Sequence, residues 1–212
     1  MEKIKVTLPD GSVKEYDAGT TVEDVAYSIG SGLGRDAIAG VVDGKEVDAY
    51  YPIEEDVELS IITIDSDDAL EIIRHTASHV MAQAVKRLYD DVQVAIGPAI
   101  ADGFYYDFDL EETFNEESLE NIEAEMEKII EEDIEVERKV LPREQAIELM
   151  KERGEKYKLE LIEGLDDEMI SLYFQGDFVD LCRGPHLPST GYVKAHKLLN
   201  VAGAYWRGDE NN

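Results

Sequence analysis

The sequence predicts an α+β protein made of two unequal parts. Short alternating apolar runs crowd the first 62 residues, and apolar stripes at three- and four-residue steps appear only afterwards. Between them lies a polar junction, Ile64-Asp65-Ser66-Asp67-Asp68, rich in helix-capping residues. In the first part, Ile4, Val6 and Leu8 alternate with polar residues, Pro9-Asp10-Gly11-Ser12 makes a turn, and Val13 and Tyr16 resume, which reads as a hairpin. Thr20-Thr21-Val22-Glu23-Asp24 opens a short helix through Val25, Ala26 and Ile29, closed by Gly30. Ala39 to Val47, turning at Asp43-Gly44, is a second hairpin, and Val57, Leu59 and Ile61 form a last strand. One helix among hairpins and a returning strand predicts a ubiquitin-like β-grasp over residues 1–62.

The second part, residues 63–212, reads as helices packed on an antiparallel sheet. A helix is expected over roughly 67–89, with the stripe Leu70, Ile73, Ala77, Met81, Ala84 and Leu88. A second, roughly 116–132, carries Leu119, Ile122, Met126 and Ile129, with acidic residues on its other faces. Ile134, Val136 and Val140 suggest a strand. A third helix runs from Pro142 to Arg153, with proline near its start and Gly154 past its end. Tyr157, Leu159 and Leu161 alternate as a strand, and apolar runs at Met169–Phe174 and Phe178–Leu181 follow.

With 43% hydrophobic residues the chain can build a core, and no apolar run approaches the roughly 18 residues that would span a membrane. The N-terminus lacks the apolar region of a secretory signal, and a single cysteine excludes an intrachain disulfide framework, so a reducing cytoplasmic setting is expected. The charge is unusual: 20 Lys plus Arg against 49 Asp plus Glu give −29. Nucleic-acid binders usually show a basic patch, so the composition by itself speaks against RNA. Two conditions reconcile them: a salt-rich cytoplasm that favours acidic surfaces, or RNA-gripping parts outside these residues.

Two segments carry the chemistry. In His75-Thr76-Ala77-Ser78-His79, two histidines four apart share one face of a helix, away from the stripe centred on Ala77. In Asp180-Leu181-Cys182-Arg183-Gly184-Pro185-His186, the only cysteine and a third histidine flank a Gly-Pro turn that lets both face one point. Three of the four histidines and the sole cysteine thus fall into two pairs, expected to form one site. The residue types leave three chemistries open: a tetrahedral zinc site, a thiol nucleophile with a histidine base, or a water-activating His/Asp site.

At these motifs the chain resembles the editing domain of bacterial-type threonyl-tRNA synthetases. The matching segments are His75 to His79, Ile96-Gly97-Pro98, Gly103-Phe104-Tyr105-Tyr106-Asp107, Tyr157-Lys158, Asp180 to His186, and Ala202-Gly203-Ala204-Tyr205-Trp206-Arg207-Gly208-Asp209 with Asn211-Asn212. Residues 1–62 resemble that family's N-terminal TGS domain. The two His/Cys pairs also occur, more loosely, in alanyl-tRNA editing proteins, whereas the GFYYD and AYWRGD segments are specific to the threonyl family.

The resemblance implies post-transfer editing: hydrolysis of the ester of seryl-tRNA(Thr), with threonyl-tRNA(Thr) spared. The partner is then the tRNA(Thr) acceptor end bearing serine. Serine lacks one methyl of threonine, a difference worth only about 1–3 kcal/mol in a binding pocket, so a second site must remove the smaller product. On this reading His75, His79, Lys158, Asp180, Cys182 and His186 are the catalytic set. Asp180, set on the opposite side-chain phase from Cys182, holds the amino group of the serine. Lys158 stabilises the oxyanion or holds the catalytic water, and water rather than the thiol is the nucleophile. Tyr106, Gly97 and Arg183 bind substrate. The site is expected to work without a metal, zinc at His75, His79, Cys182 and His186 being the second reading. The family continues into a class II catalytic domain and an anticodon-binding domain, so ligase activity is not expected from these residues. The full-length family protein is expected to be a homodimer and this portion a monomer. Two rivals stand beside this reading: a free-standing zinc-dependent alanyl-type deacylase, and a non-enzymatic module that binds RNA or a partner.

Overall fold

The computed structural model describes residues 2–203, and the AYWRGD segment, residues 204–209, lies outside them. The chain is α+β, as its patterning predicts. β1 (Lys3–Thr7) and β2 (Val13–Asp17) form the first hairpin, in register from Lys3 opposite Asp17 to Thr7 opposite Val13. α1 (Val22–Ile29) begins where the Thr-Thr signal places it: the Thr21 hydroxyl accepts from the Asp24 amide while Asp24 accepts from the Thr21 amide, a reciprocal capping box. A further short helix, α2 (Ser31–Asp36), precedes the second hairpin, β3 (Ala37–Val42) and β4 (Lys45–Asp48). β5 (Val57–Thr63) then runs parallel to β1 and antiparallel to β3, giving the five-strand order β2-β1-β5-β3-β4. Ile4, Val6, Val22, Val25 and Leu59 are buried between sheet and helix. This is a β-grasp.

The first unit does not end in open solvent. Ile38, Ala39 and Ile62 join a second core with Ala69, Ile72, Val80 and Met126. The helix α3 (Ala69–Leu88) at the centre of that core is buried over more of its circumference than one stripe allows: every residue from Thr76 to Val85 is buried. The expected stripe is only partly inward, since Leu70 and Leu88 are exposed while Ala69, Ile72 and Thr76 take the inward positions. α4 (Glu116–Glu131) packs on α3, and Arg87 ties the two helices through Glu132 at 2.7 Å and Glu125 at 3.3 Å.

β6 (Val136–Pro142), β7 (Met169–Gln175) and β8 (Phe178–Leu181) form an antiparallel sheet in that order. α5 (Arg143–Glu152) and α6 (Lys156–Glu163) cover one face, where Met150, Ile162, Ile170, Leu172 and Val179 make a third core. The strand expected at Tyr157, Leu159 and Leu161 is therefore a helix. Over five residues an alternating pattern also fits a helical one, and here Lys158 and Ile162, four apart, point inward. The other face of the sheet turns toward α3 and carries the site.

Candidate active site

Alternation along β8 decides which side chains meet. Val179 and Leu181 enter the core beneath α5 and α6, so Phe178 and Asp180 face α3. Cys182, two residues past Asp180, stays on that same face, because a two-residue step returns a strand side chain to its starting side. The expected opposite phase for Asp180 and Cys182 is thus overturned: Asp180 meets His79 and Cys182 meets His75, one helical turn apart on α3.

The two pairs form one cluster. The ligand-capable atoms of His75, His79, Cys182 and His186 all lie within 4.8 Å of one another. The Cys182 sulfur is 3.1 Å from Nε2 of His75 and 3.3 Å from Nε2 of His186, and it accepts from the Gly184 amide at 3.2 Å. The loop that brings His186 round needs glycine at 184: its φ is +73°, and a Cβ there would stand 1.8 Å from the Tyr173 hydroxyl. His79 and His186 are buried, whereas His75 and Cys182 are partly open to solvent.

Behind the cluster is a buried polar chain. Lys158 forms an ion pair with Asp180, both side chains 2% exposed. The same ammonium donates to the Ala95 carbonyl at 2.7 Å and to the Tyr106 hydroxyl at 2.8 Å. Tyr106 in turn donates to Asp180 at 2.6 Å, and Nε2 of His79 lies 3.2 Å from the same carboxylate oxygen. The ammonium of Lys158 is thus shared among Asp180, Ala95 and Tyr106, behind the cluster. Gly97 lets the Tyr106 ring lie against the backbone, since a Cβ would sit 1.9 Å from it, and its carbonyl accepts from Ser78. Arg183 is far out on the rim, 4.0 Å from Asp167 with both side chains exposed.

Two positioning residues carried no signal in the sequence. Thr76, inside the HxxxH segment, places its hydroxyl 3.0 Å from Nδ1 of His186 and accepts from the Leu187 amide. Asp48, at the end of β4 in the β-grasp, accepts from the His186 amide at 2.9 Å and from the Tyr173 hydroxyl at 2.8 Å. Only the tertiary fold brings it across 138 residues of chain; no local pattern marks it.

Burial sets the charge states. It holds the His75 imidazole below its usual value, with Asp180 pulling the other way. Burial and mutual repulsion hold His79 and His186 well below it. Burial pushes the Cys182 thiol up to about 12. The metal-free cluster at neutral pH is therefore three neutral imidazoles around a protonated thiol, and a protonated thiol is a poor nucleophile. The same donors fit zinc: three imidazoles and one thiol are an accepted set, and tetrahedral bonds of about 2.0–2.3 Å place ligand atoms at roughly the spacing seen around the sulfur. Asp180 behind His79 and Thr76 behind His186 supply the outer hydrogen bonds that orient metal-ligating histidines.

Residues 4–63 match the TGS domain model, and residues 170–212 match the model of the threonyl and alanyl tRNA synthetase second additional domain. The chain is 59% identical over 210 residues to a threonine–tRNA ligase of Acetivibrio thermocellus, covering 99% of this chain and 33% of that protein. It is 55% identical to the enzyme of Clostridioides difficile, with the same coverage, and 53% identical over 212 residues to that of a Geobacillus species. It thus spans a third of the length of these relatives. With a TGS domain, a tRNA-synthetase second additional domain and 53–59% identity along its whole length, the chain belongs with the N-terminal regions of threonine–tRNA ligases.

Proposed function

We propose that this chain hydrolyses the ester of seryl-tRNA(Thr) and spares threonyl-tRNA(Thr), as the editing portion of a threonine–tRNA ligase. The observation that carries the proposal is the convergence of His75, His79, Cys182 and His186 within 4.8 Å, in front of the buried Lys158–Asp180–Tyr106 chain. Water is the nucleophile, and His75, the imidazole most open to solvent, is placed to take its proton. Cys182 stays a thiol, hydrogen-bonded among His75, His186 and the Gly184 amide, and lines the pocket. Asp180 orients His79 from behind the cluster and is itself held by Lys158 and Tyr106. A steric wall against the extra methyl of threonine supplies the selectivity that binding alone limits to about 1–3 kcal/mol.

Zinc is the second reading, favoured by the donor set itself. Zinc held there by His75, His79, Cys182 and His186 would have to take on a fifth ligand, or give up one of the four, to polarise the ester carbonyl or a water. Elemental analysis of the purified protein separates the readings: stoichiometric zinc that survives dialysis overturns the metal-free site.

The activity is tested by incubating the protein with labelled seryl-tRNA(Thr) and threonyl-tRNA(Thr). Selective release of serine is the expected outcome, reduced at least a hundredfold by His75→Ala, a loss in the range general base catalysis supplies, and reduced also by Cys182→Ala, which removes a pocket wall. Cleavage of neither ester above the buffer rate leaves only a binding role for the chain.

A further inference from the structure

Thr76 lies inside the HxxxH segment and is fully buried. Its hydroxyl has one hydrogen to give and two lone pairs. One lone pair takes the Leu187 amide at 2.9 Å. Among the described residues the one acceptor within reach of the hydroxyl hydrogen is Nδ1 of His186, at 3.0 Å. A buried hydroxyl that fails to donate carries a desolvation penalty, so the hydrogen goes to Nδ1, and that nitrogen is bare. A neutral imidazole then carries its own proton on Nε2, which faces the Cys182 sulfur 3.3 Å away. The sulfur accepts from the Gly184 amide as well, so two N–H groups point at it and its own S–H cannot turn to His186. The acceptor left for the S–H is Nε2 of His75, at 3.1 Å. His75 is therefore bare at Nε2 and protonated at Nδ1, and the Pro185 carbonyl is a hydrogen-bond acceptor for that ring. His79 is fixed separately, with Nε2 donating to the Asp180 carboxylate at 3.2 Å.

We propose that Thr76 is a positioning residue that sets the proton order of the cluster: its hydroxyl holds His186 as the Nε2–H tautomer, His186 turns the Cys182 S–H toward His75, and His75 is left with its bare nitrogen facing the sulfur. The order runs from the Leu187 amide through the Thr76 hydroxyl, the His186 ring and the Cys182 thiol to His75, each group donating to the next. Its catalytic consequence rests on the editing reading, in which His75 takes a proton from water and so must offer a lone pair. The lone pair of His186 is covered by a buried hydroxyl. That of His75 is covered only by an S–H, a weak donor that an entering water displaces at little cost, and both His75 and Cys182 are partly open to solvent. Zinc on Nε2 of His186 would reverse the order by moving the proton of that ring to Nδ1.

The test is the ring-nitrogen NMR spectrum of the isotopically labelled protein, in which protonated and bare imidazole nitrogens resonate far apart, with zinc content measured on the same sample. The chain has 4 histidines, so few ring signals need assigning. The wild type is expected to carry its proton on Nε2 of His186 and on Nδ1 of His75. In Thr76→Val, which keeps the shape and removes the hydroxyl, the His186 proton spreads over both nitrogens. The same variant should lose at least about tenfold in kcat for seryl-tRNA(Thr) at little change in KM, since the wrong tautomer of a catalytic imidazole can cost up to about 10⁴. Thr76→Ser, which keeps the hydroxyl, should restore both the spectrum and the rate. A proton on Nδ1 of His186 in the wild type overturns the proposal, whether zinc or another hydrogen-bond network puts it there, and the wild-type spectrum decides this even where the valine variant does not fold. An unchanged His186 in Thr76→Val overturns it too, as does an undiminished rate. The expected tautomers in a protein that cleaves neither ester uphold the proton order and strike the editing reading, so the two fail separately.

Discussion

Asp48 shows how a single side chain can couple the two parts of the molecule. Its carboxylate accepts from the His186 amide and from the Tyr173 hydroxyl, and burial pushes its protonation upward while those two bonds pull it down. Removing it by Asp48→Ala leaves an amide and a hydroxyl without their acceptor, at a cost of about 1–3 kcal/mol. The His186 loop loses its anchor, although no atom of Asp48 touches the cluster's donor atoms. The expected result is a fall in urea midpoint together with at least a tenfold drop in kcat for seryl-tRNA hydrolysis at little change in KM. Asp48→Asn, which keeps an acceptor oxygen for the amide, should restore most of the rate. Equal rates for the alanine variant and the wild type would show the contact to be structural only. Nothing in the sequence marks this residue, because its partners lie 125 and 138 positions away. The two His/Cys pairs are legible for the opposite reason: HxxxH on a helix and CxxxH around Gly-Pro are local spacings, and local spacing fixes which side chains share a face.

At the scale of elements, the same distinction explains what was readable. The hairpins, the capped α1 and the long α3 and α4 were visible because their periods run for many residues or end in a cap that uses their own side chains. The pattern of α6 points to a strand because Tyr157, Leu159 and Leu161 alternate, over too short a stretch to exclude a helix. Its inward side is set by Lys158, a residue that patterning counts as polar but that is buried by its pairing with Asp180. The two readings differ in a measurable way. In a strand with Tyr157, Leu159 and Leu161 inward, Ile162 would face out, and its truncation would cost within about 0.5 kcal/mol. In the helix Ile162 is fully buried against Met150 and Leu172, and Ile162→Ala should cost about 2–5 kcal/mol by equilibrium unfolding. The exposed neighbour Glu163→Ala should be near neutral.

For the whole molecule the dominant quantity is the charge of −29. Self-repulsion of that size opposes the compact state, and salt relieves it by shrinking the Debye length from about 30 Å at 0.01 M to about 3 Å at 1 M. Salt also weakens the surface ion pairs, such as Lys197–Glu123 and Lys3–Asp17, but exposed pairs contribute only about 0–1 kcal/mol each. With 49 acids against 20 bases, most carboxylates have no cation to lose, so relief of repulsion wins. The melting temperature should therefore rise by several degrees between 10 mM and 0.5 M sodium chloride, and a fall would mean that the ion pairs outweigh the net charge. RNA affinity must move the other way over the same range, because each phosphate contact releases counterions whose return salt favours. Stability that increases with salt while affinity for RNA decreases is the signature expected of a strongly acidic scaffold that contacts RNA through local cations.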